Sequence, residues 1–294
     1  MFKGKYIKLI YWNYPNFGDA LSPLIVESLS KKEIIYKTQY LGKKDALRKL
    51  KGYIISKEFK EIRHINFPWE KTLLAVGSII SWGTKNSEIW GSGFMNEHET
   101  FKGGKIHAVR GKYTKEKLTQ SGFNCPDVFG DPALLLPLIV PPAEKKEKIG
   151  IIPHWKETKY FQSNFANKFK VIDLNTNNIH EVIAQITSCK KILSTSLHGI
   201  IVAHAYGIPA LWIKKGYIDT DGFKFKDYFS SVNIPIYDGF TNIEEILSKQ
   251  QNITNLFENN KIQSQPQKSI TEIQKSLILA APFKVCKDIT NKTL

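Results

Sequence analysis

Ser194, Thr195, Ser196 and His198 fall together in the run Lys190 to Ile213, KKILSTSLHGIIVAHAYGIPALWI. Hydroxyls can hold an anion by hydrogen bonds, and an imidazole titrates close enough to neutrality to give or take a proton. Arg110, in Val109-Arg110-Gly111, is a second candidate, because a guanidinium at the end of a strand can grip a carboxylate or phosphate through paired N–H bonds. Asn16, Gly18 and Asp19, with Ser78 after Gly77, supply short polar groups suited to a hydroxyl-rich ligand, although Asn16-Phe17-Gly18-Asp19 reads equally well as a loop that caps a helix. His154 follows the strand-like KIGIIP and is the second histidine of interest. His204 lies inside an apolar helical stretch and reads as packed. The combined chemistry is anion holding plus proton transfer.

These residues can meet only if each follows a strand. Ile192-Leu193 reads as a strand end, Leu197 to Tyr206 as a helix stopped by Gly207, and Ala210 to Ile213 as the next strand, which together make a right-handed βαβ unit. Tyr6 to Trp12 followed by Ala20 to Leu29 repeats that order. Thr72 to Ile80, Ile89 to Phe94 and Ile106 to Val109 read as further strands, and Asp131-Pro132 as a cap and first residue of a short apolar helix. Pro137 to Lys148 reads as a linker. Beyond it the pattern restarts with strands at Lys148 to Pro153 and Phe169 to Leu174 and a helix at Asn178 to Ser188. Tyr228 to Pro235 reads as a loop, Ile236 to Asp238 as a short strand, and Ile243 to Lys249 and Ser269 to Ala281 as helices. The expectation is an α/β protein with two Rossmann-like doubly wound domains, residues 1–140 and 149–265, facing a central cleft. A helical tail, 266–294, packs back on the first domain. Ligands on such sheets collect where strands end and helices begin.

Composition narrows the function. The 294 residues carry 42 Lys and Arg against 27 Asp and Glu, a formal net charge of +15. Only Arg48, Arg63 and Arg110 are arginines, so specific nucleic-acid readout, which leans on Arg, is disfavoured. The basic balance fits an anionic ligand or an anionic membrane surface. Cys125, Cys189 and Cys286 lack disulfide or metal spacing, and no stretch approaches a membrane span, which places the protein in the cytoplasm, with a peripheral position at the inner face of a membrane as an extension of that reading.

Taken in order, Asn16-x-Gly18-Asp19, a strand ending in Gly77-Ser78, Val109-Arg110-Gly111 before a helix, Asp131-Pro132-Ala133, and Ser196-Leu197-His198-Gly199 before a helix ending Gly207-Ile208-Pro209 resemble the polysaccharide pyruvyl transferases, over roughly Tyr11 to Trp212. The resemblance implies a GT-B-like fold and transfer of the enolpyruvyl group of phosphoenolpyruvate to a sugar of a surface polysaccharide or its lipid-linked precursor, forming a pyruvate ketal and releasing phosphate. It implies donor binding by Arg110, Leu197 and His198, with His198 as general acid. Ser194, Thr195, Ser196 and His154 complete the expected donor side, and Asn16, Gly18, Asp19 and Ser78 the acceptor side. Neither a metal nor a cofactor is called for by this scheme. One departure stands out: several relatives place Arg directly before Leu-His, where this chain has Ser196. A nucleotide-sugar glycosyltransferase of GT-B architecture, and a non-catalytic glycan-binding component of a polysaccharide assembly complex, are the two other classes that the sequence accommodates.

Overall fold

The computed structural model describes residues 1–216 and 220–293. Five strands, β1 (Tyr6–Ile10), β2 (Glu33–Lys37), β3 (Thr72–Leu74), β4 (Ser87–Trp90) and β5 (Lys105–Ala108), form one parallel sheet in the order β2-β1-β3-β4-β5. The central strands are short apolar runs because helices cover both faces of a parallel sheet: Ile7, Leu9, Ile10, Leu73 and Leu74 are fully buried. Helices α1 (Phe17–Ser30), α2 (Lys43–Ile55) and α3 (Lys112–Gln120) belong to this half. The inner face of α1 is Leu21, Ile25, Val26 and Leu29, each buried side chain worth roughly 1.5–3 kcal/mol.

The second parallel sheet has the order β7-β6-β8-β9, from β6 (Glu147–Ile152), β7 (Lys170–Val171), β8 (Cys189–Ser194) and β9 (Ala210–Trp212). Around it lie α4 (Thr158–Phe165), α5 (Ile179–Thr187), α6 (Leu197–Ala205), α7 (Phe223–Ser231), α8 (Ile243–Ser248) and α9 (Gln250–Asn259). In each sheet the strand order reverses once, between β1 and β3 and between β6 and β8. The loops leaving those strands diverge there and open a crevice.

The two halves share a core. One apolar cluster takes Leu9, Phe17 and Leu73 from the first half and Ile152, Ile200 and Phe225 from the second. The Phe17 N–H donates to the Leu174 carbonyl at 2.8 Å, and the Tyr206 hydroxyl donates to the Val140 carbonyl at 2.8 Å. A 3-10 turn at Pro132–Leu138 lies against α6, with Pro132 at its start and the Asp131 carboxylate accepting the Ala133 N–H at 2.9 Å. Past the second sheet the chain returns to the first half: α10 (Ile270–Leu279) is held by Trp90 Nε1 donating to the Leu277 carbonyl and by Gln274 Nε2 donating to the Leu134 carbonyl, and α11 (Lys287–Thr293) follows.

Two expectations fail in the second half. Tyr228 to Ser231 belongs to α7, not to a loop, because Phe225, Tyr228 and Phe229 recur at helical spacing and are all fully buried. Ile236 to Asp238 forms no strand, and Phe240 instead makes a single bridge to Ile213. Among the described residues no helix is long and apolar enough to cross a membrane.

Candidate active site

His198 is the second residue of α6, which starts immediately beyond β8. Its ring packs on the first turn of α1 at Gly18, where a methyl group would overlap the imidazole Nδ1; the site needs glycine for space, not for backbone angle. The residue as a whole is half-buried, but Nε2 is sealed from solvent and has no hydrogen-bond partner among the described residues. Burial pushes its pKa down to about 3, and the positive charges of Lys224 and Arg110 push the same way. The imidazole is therefore neutral at pH 7, in contrast to the near-neutral titration expected of a free side chain.

Asp19 follows Gly18 and lies near Gly77, on the loop that leaves β3. Among the described residues no group hydrogen-bonds its carboxylate. Burial raises its pKa to about 7, opposed by the charge of Lys224. Lys224, from α7, is itself buried and acts on Asp19 and His198 alike. The loops at the two points where the strand order reverses thus meet in one cluster, Gly18 and Asp19 from the first sheet and His198 from the second, with the charge of Lys224 reaching both titratable groups.

Arg110 occupies a different position from the one expected. It is fully buried, and its nitrogens are engaged: Nε donates to Asp227 at 2.9 Å, Nη1 to Ser78 Oγ at 2.5 Å, and Nη2 to the Phe94 carbonyl at 2.6 Å. Asp227, on α7, also accepts the Thr114 N–H and hydroxyl at 2.8 and 2.7 Å. Gly93 and Gly111 leave room for this pair, since a side chain at either would run into Arg110 or the Asp227 backbone. Arg110 is a strut between the halves. Its charge reaches His198, and three of its five N–H groups are held by the fold while the side chain as a whole is closed off from solvent. Ser78 is likewise committed to Arg110.

The hydroxyls of the turn are drawn into the fold's own hydrogen bonds. Ser194 is fully buried, its single hydroxyl proton shared between the Ile152 and Ser196 carbonyls, both 2.8 Å away, while its oxygen accepts the Ser196 N–H, so the side chain is occupied in shaping the turn. Thr195 is buried, donates to Glu157 at 2.5 Å and accepts the His154 N–H at 2.7 Å, which fixes the loop after β6 against the loop after β8. Burial raises the Glu157 pKa, with the Thr195 hydroxyl opposing. Leu197 is a core residue. Ser196, the N-cap of α6, makes no side-chain capping bond. Asn16 caps α1 by accepting the Gly18 N–H at 3.0 Å, which commits its side-chain oxygen to the fold. His154 sits at the end of β6 with its ring tilted over Trp155, its centroid 5.7 Å away.

A pocket of about 330 Å³ opens beside this cluster at the ends of β8 and β9, lined by Glu157, Thr195, Lys214, Lys215, Asp221 and Phe225. Neither His198 nor Arg110 lines it. Its lining carries two lysines, Lys214 and Lys215, and two carboxylates, Glu157 and Asp221. Lys214, Lys215, Lys224 and Asp227 carry no motif and escape a reading of the sequence. The available signal was the FKFKDYF segment, whose aromatic spacing makes a helix and sends Lys224 and Asp227 inward.

Two parallel sheets of an α/β fold bring a half-buried histidine and carboxylate together where strands end and helices begin, the edge at which such sheets bind ligands. Residues 89–214 match the model of the family described as Polysaccharide pyruvyl transferase, which bears out the resemblance read from the motifs. Arg110, His154 and residues 194–198 lie inside the matched stretch; Asn16, Gly18, Asp19 and Ser78 lie outside it. The chain is also similar to an uncharacterized protein of Acanthamoeba polyphaga mimivirus, 36% identical over 170 residues, which is 54% of this chain and 59% of the relative. The chain thus matches under two thirds of that relative's length. No solved structure gives a significant match.

Proposed function

We propose that the protein is a transferase that moves the enolpyruvyl group of phosphoenolpyruvate onto a sugar of a surface polysaccharide or its lipid-linked precursor. The observation that carries this reading is Nε2 of His198, sealed from solvent and without a hydrogen-bond partner among the described residues, on a ring packed against Gly18 next to Asp19. An imidazole held neutral first by burial and further by the charges of Lys224 and Arg110 is a poor structural device and a good chemical one. The donor brings a phosphate and a carboxylate, and its negative charge would offset Lys224 and Arg110 and allow His198 to take up a proton. The family match supports the same class of chemistry.

In the proposed reaction His198 gives that proton to the methylene carbon, and the neighbouring carbon becomes oxocarbenium-like. One sugar hydroxyl adds to it and passes its proton to Asp19, whose pKa near 7 suits a base. A second hydroxyl then displaces phosphate, which leaves by cleavage of its C–O bond. One hydroxyl proton replaces the one now in the methyl group, and the other leaves with hydrogen phosphate. Lys214 and Lys215, in the pocket beside Thr195, supply the cations that Arg provides in relatives with Arg where this chain has Ser196. A GT-B-like pairing of the two sheets, with donor and acceptor entering from opposite halves, belongs to this proposal. The test is incubation with phosphoenolpyruvate and a panel of synthetic and lipid-linked saccharides. Phosphate release with a ketal mass gain is expected; release of a nucleoside diphosphate from a sugar nucleotide, or binding without turnover, would replace the reading with a glycosyltransferase or a glycan-binding component.

A further inference from the structure

Helix α2 is unusual among the long helices because Ala46 is its only buried residue. Leu47, Ile54 and Ile55 are exposed at 55%, 49% and 81%, and Phe59, in the 3-10 turn that follows, at 62%. Leu47 and Ile54 are seven residues apart and share one helix face, with Ile55 beside them. Lys43, Lys44, Arg48 and Lys51 flank that stripe, and from Leu41 to Arg63 there are eight Lys and Arg against three Asp and Glu. Asp45 is already paired with Arg48 and Lys49, so the excess positive charge stays at the surface. An apolar stripe bordered by long cationic side chains is the pattern of a helix that lies in a bilayer interface, its chains buried among lipid tails and its ammonium groups snorkelling to headgroups.

We infer that α2 and the turn after it form a docking face for an anionic phospholipid bilayer. Charge decides between occupants. A second copy would bring the same basic surface, on a chain whose formal net charge is +15, against itself, whereas acidic headgroups complement it. The other side of α2, with Ala46 and Tyr53, turns towards the first half. Tyr53 of α2 is close enough to Tyr36 to influence its ionisation, and Tyr36 packs edge-on to Tyr11, just past β1, with centroids 5.0 Å apart. Docking there would bring the first crevice towards the headgroups, where a lipid-linked acceptor is held. That consequence rests on the transferase reading, but docking itself does not.

The test is co-sedimentation of the full chain with phosphatidylcholine vesicles with and without phosphatidylglycerol. Binding should be at least ~10-fold stronger to the acidic vesicles and weaken with added salt. Leu47→Glu/Ile55→Glu should lower that binding by roughly 10-fold or more while the melting temperature and phosphate release with a water-soluble acceptor stay unchanged, since both positions are exposed. Lys44→Glu/Lys51→Glu, which leaves the apolar stripe intact, should remove the preference for acidic lipid. Equal sedimentation with both vesicle types, or undiminished binding by Leu47→Glu/Ile55→Glu, would overturn the inference. So would a wild-type dimer in light scattering that the same variant dissociates without any vesicle binding. Loss of phosphate release with vesicle binding intact would count against the transferase reading alone.

Discussion

Helix α6 carries a histidine near each end, and the two have opposite surroundings. His204 is fully buried, its Nδ1 3.0 Å from the Tyr228 hydroxyl and its Nε2 3.2 Å from the Ser264 carbonyl. Because a carbonyl only accepts, Nε2 carries the proton and Nδ1 accepts from Tyr228. His198 has a sealed Nε2 with no hydrogen-bond partner among the described residues. Burial lowers the pKa of both, to about 4 and about 3. What separates them is the account of their hydrogen bonds: a satisfied buried imidazole stabilises the fold, while an unsatisfied one costs free energy and persists where a ligand completes it.

Alanine at each position tests this directly. His198→Ala should cut phosphate release by about 10³-fold, within the range for loss of a general acid, and leave the melting temperature the same or higher. His204→Ala should do the reverse, lowering stability by roughly 2–4 kcal/mol through a cavity and two unpaired groups while the folded fraction keeps its specific activity. Equal effects in both assays would dissolve the distinction. Arg110→Ala comes next in size. It leaves Asp227 charged and enclosed between the halves, so a loss of roughly 3–5 kcal/mol in stability is expected in denaturant titration. A normally stable Arg110→Ala protein with only a raised donor KM would return Arg110 to the donor site.

Gly18→Ala is a smaller perturbation of His198 itself. The added methyl must push the imidazole aside, and a displacement of that size should cost on the order of 10²-fold in turnover with little change in stability. Retained turnover would mean that the packing of ring on helix is incidental.

These contrasts also show how far the residues announced their roles. The strand-turn-helix order around Ser194 to Gly207 was readable because β8, α6 and β9 are short and punctuated by Ser196, Gly207 and Pro209. The packed state of His204 was readable from its apolar neighbours. Arg110 stands out by its rarity, but its partner Asp227 lies 117 residues away in a stretch without a motif, directly before one that reads as a loop, so nothing local shows that its charge is spent. The serine-rich turn looked like an anion site because hydroxyl composition cannot show which groups the backbone already uses. Lys224 and the Lys214-Lys215 pair are three lysines among many, and only the fold brings them to the site. β2 and α2 went unread for a similar reason: Glu33–Lys37 mixes charge into a strand, and α2 lacks the apolar face that a core would demand.

The smallest effect concerns protons. His204 binds its proton with a pKa of about 4 when folded and near 6.5 when unfolded, so the unfolded chain holds more protons between those values. Stability should therefore fall as pH drops from 6.5 towards 4, by at most about 1.4 kcal/mol per pH unit from this residue, and His204→Gln should flatten that slope. His198 should behave differently once a ligand is present. Ring ¹⁵N shifts should show it neutral down to about pH 4 in the free protein, and phosphoenolpyruvate should move the midpoint upward as its charges offset Lys224 and Arg110. Isothermal titration in buffers of different ionisation heat should then report proton uptake on donor binding, absent in His198→Ala and intact in His204→Gln. Donor binding with no uptake would leave His198 without the proton that the proposed first step requires.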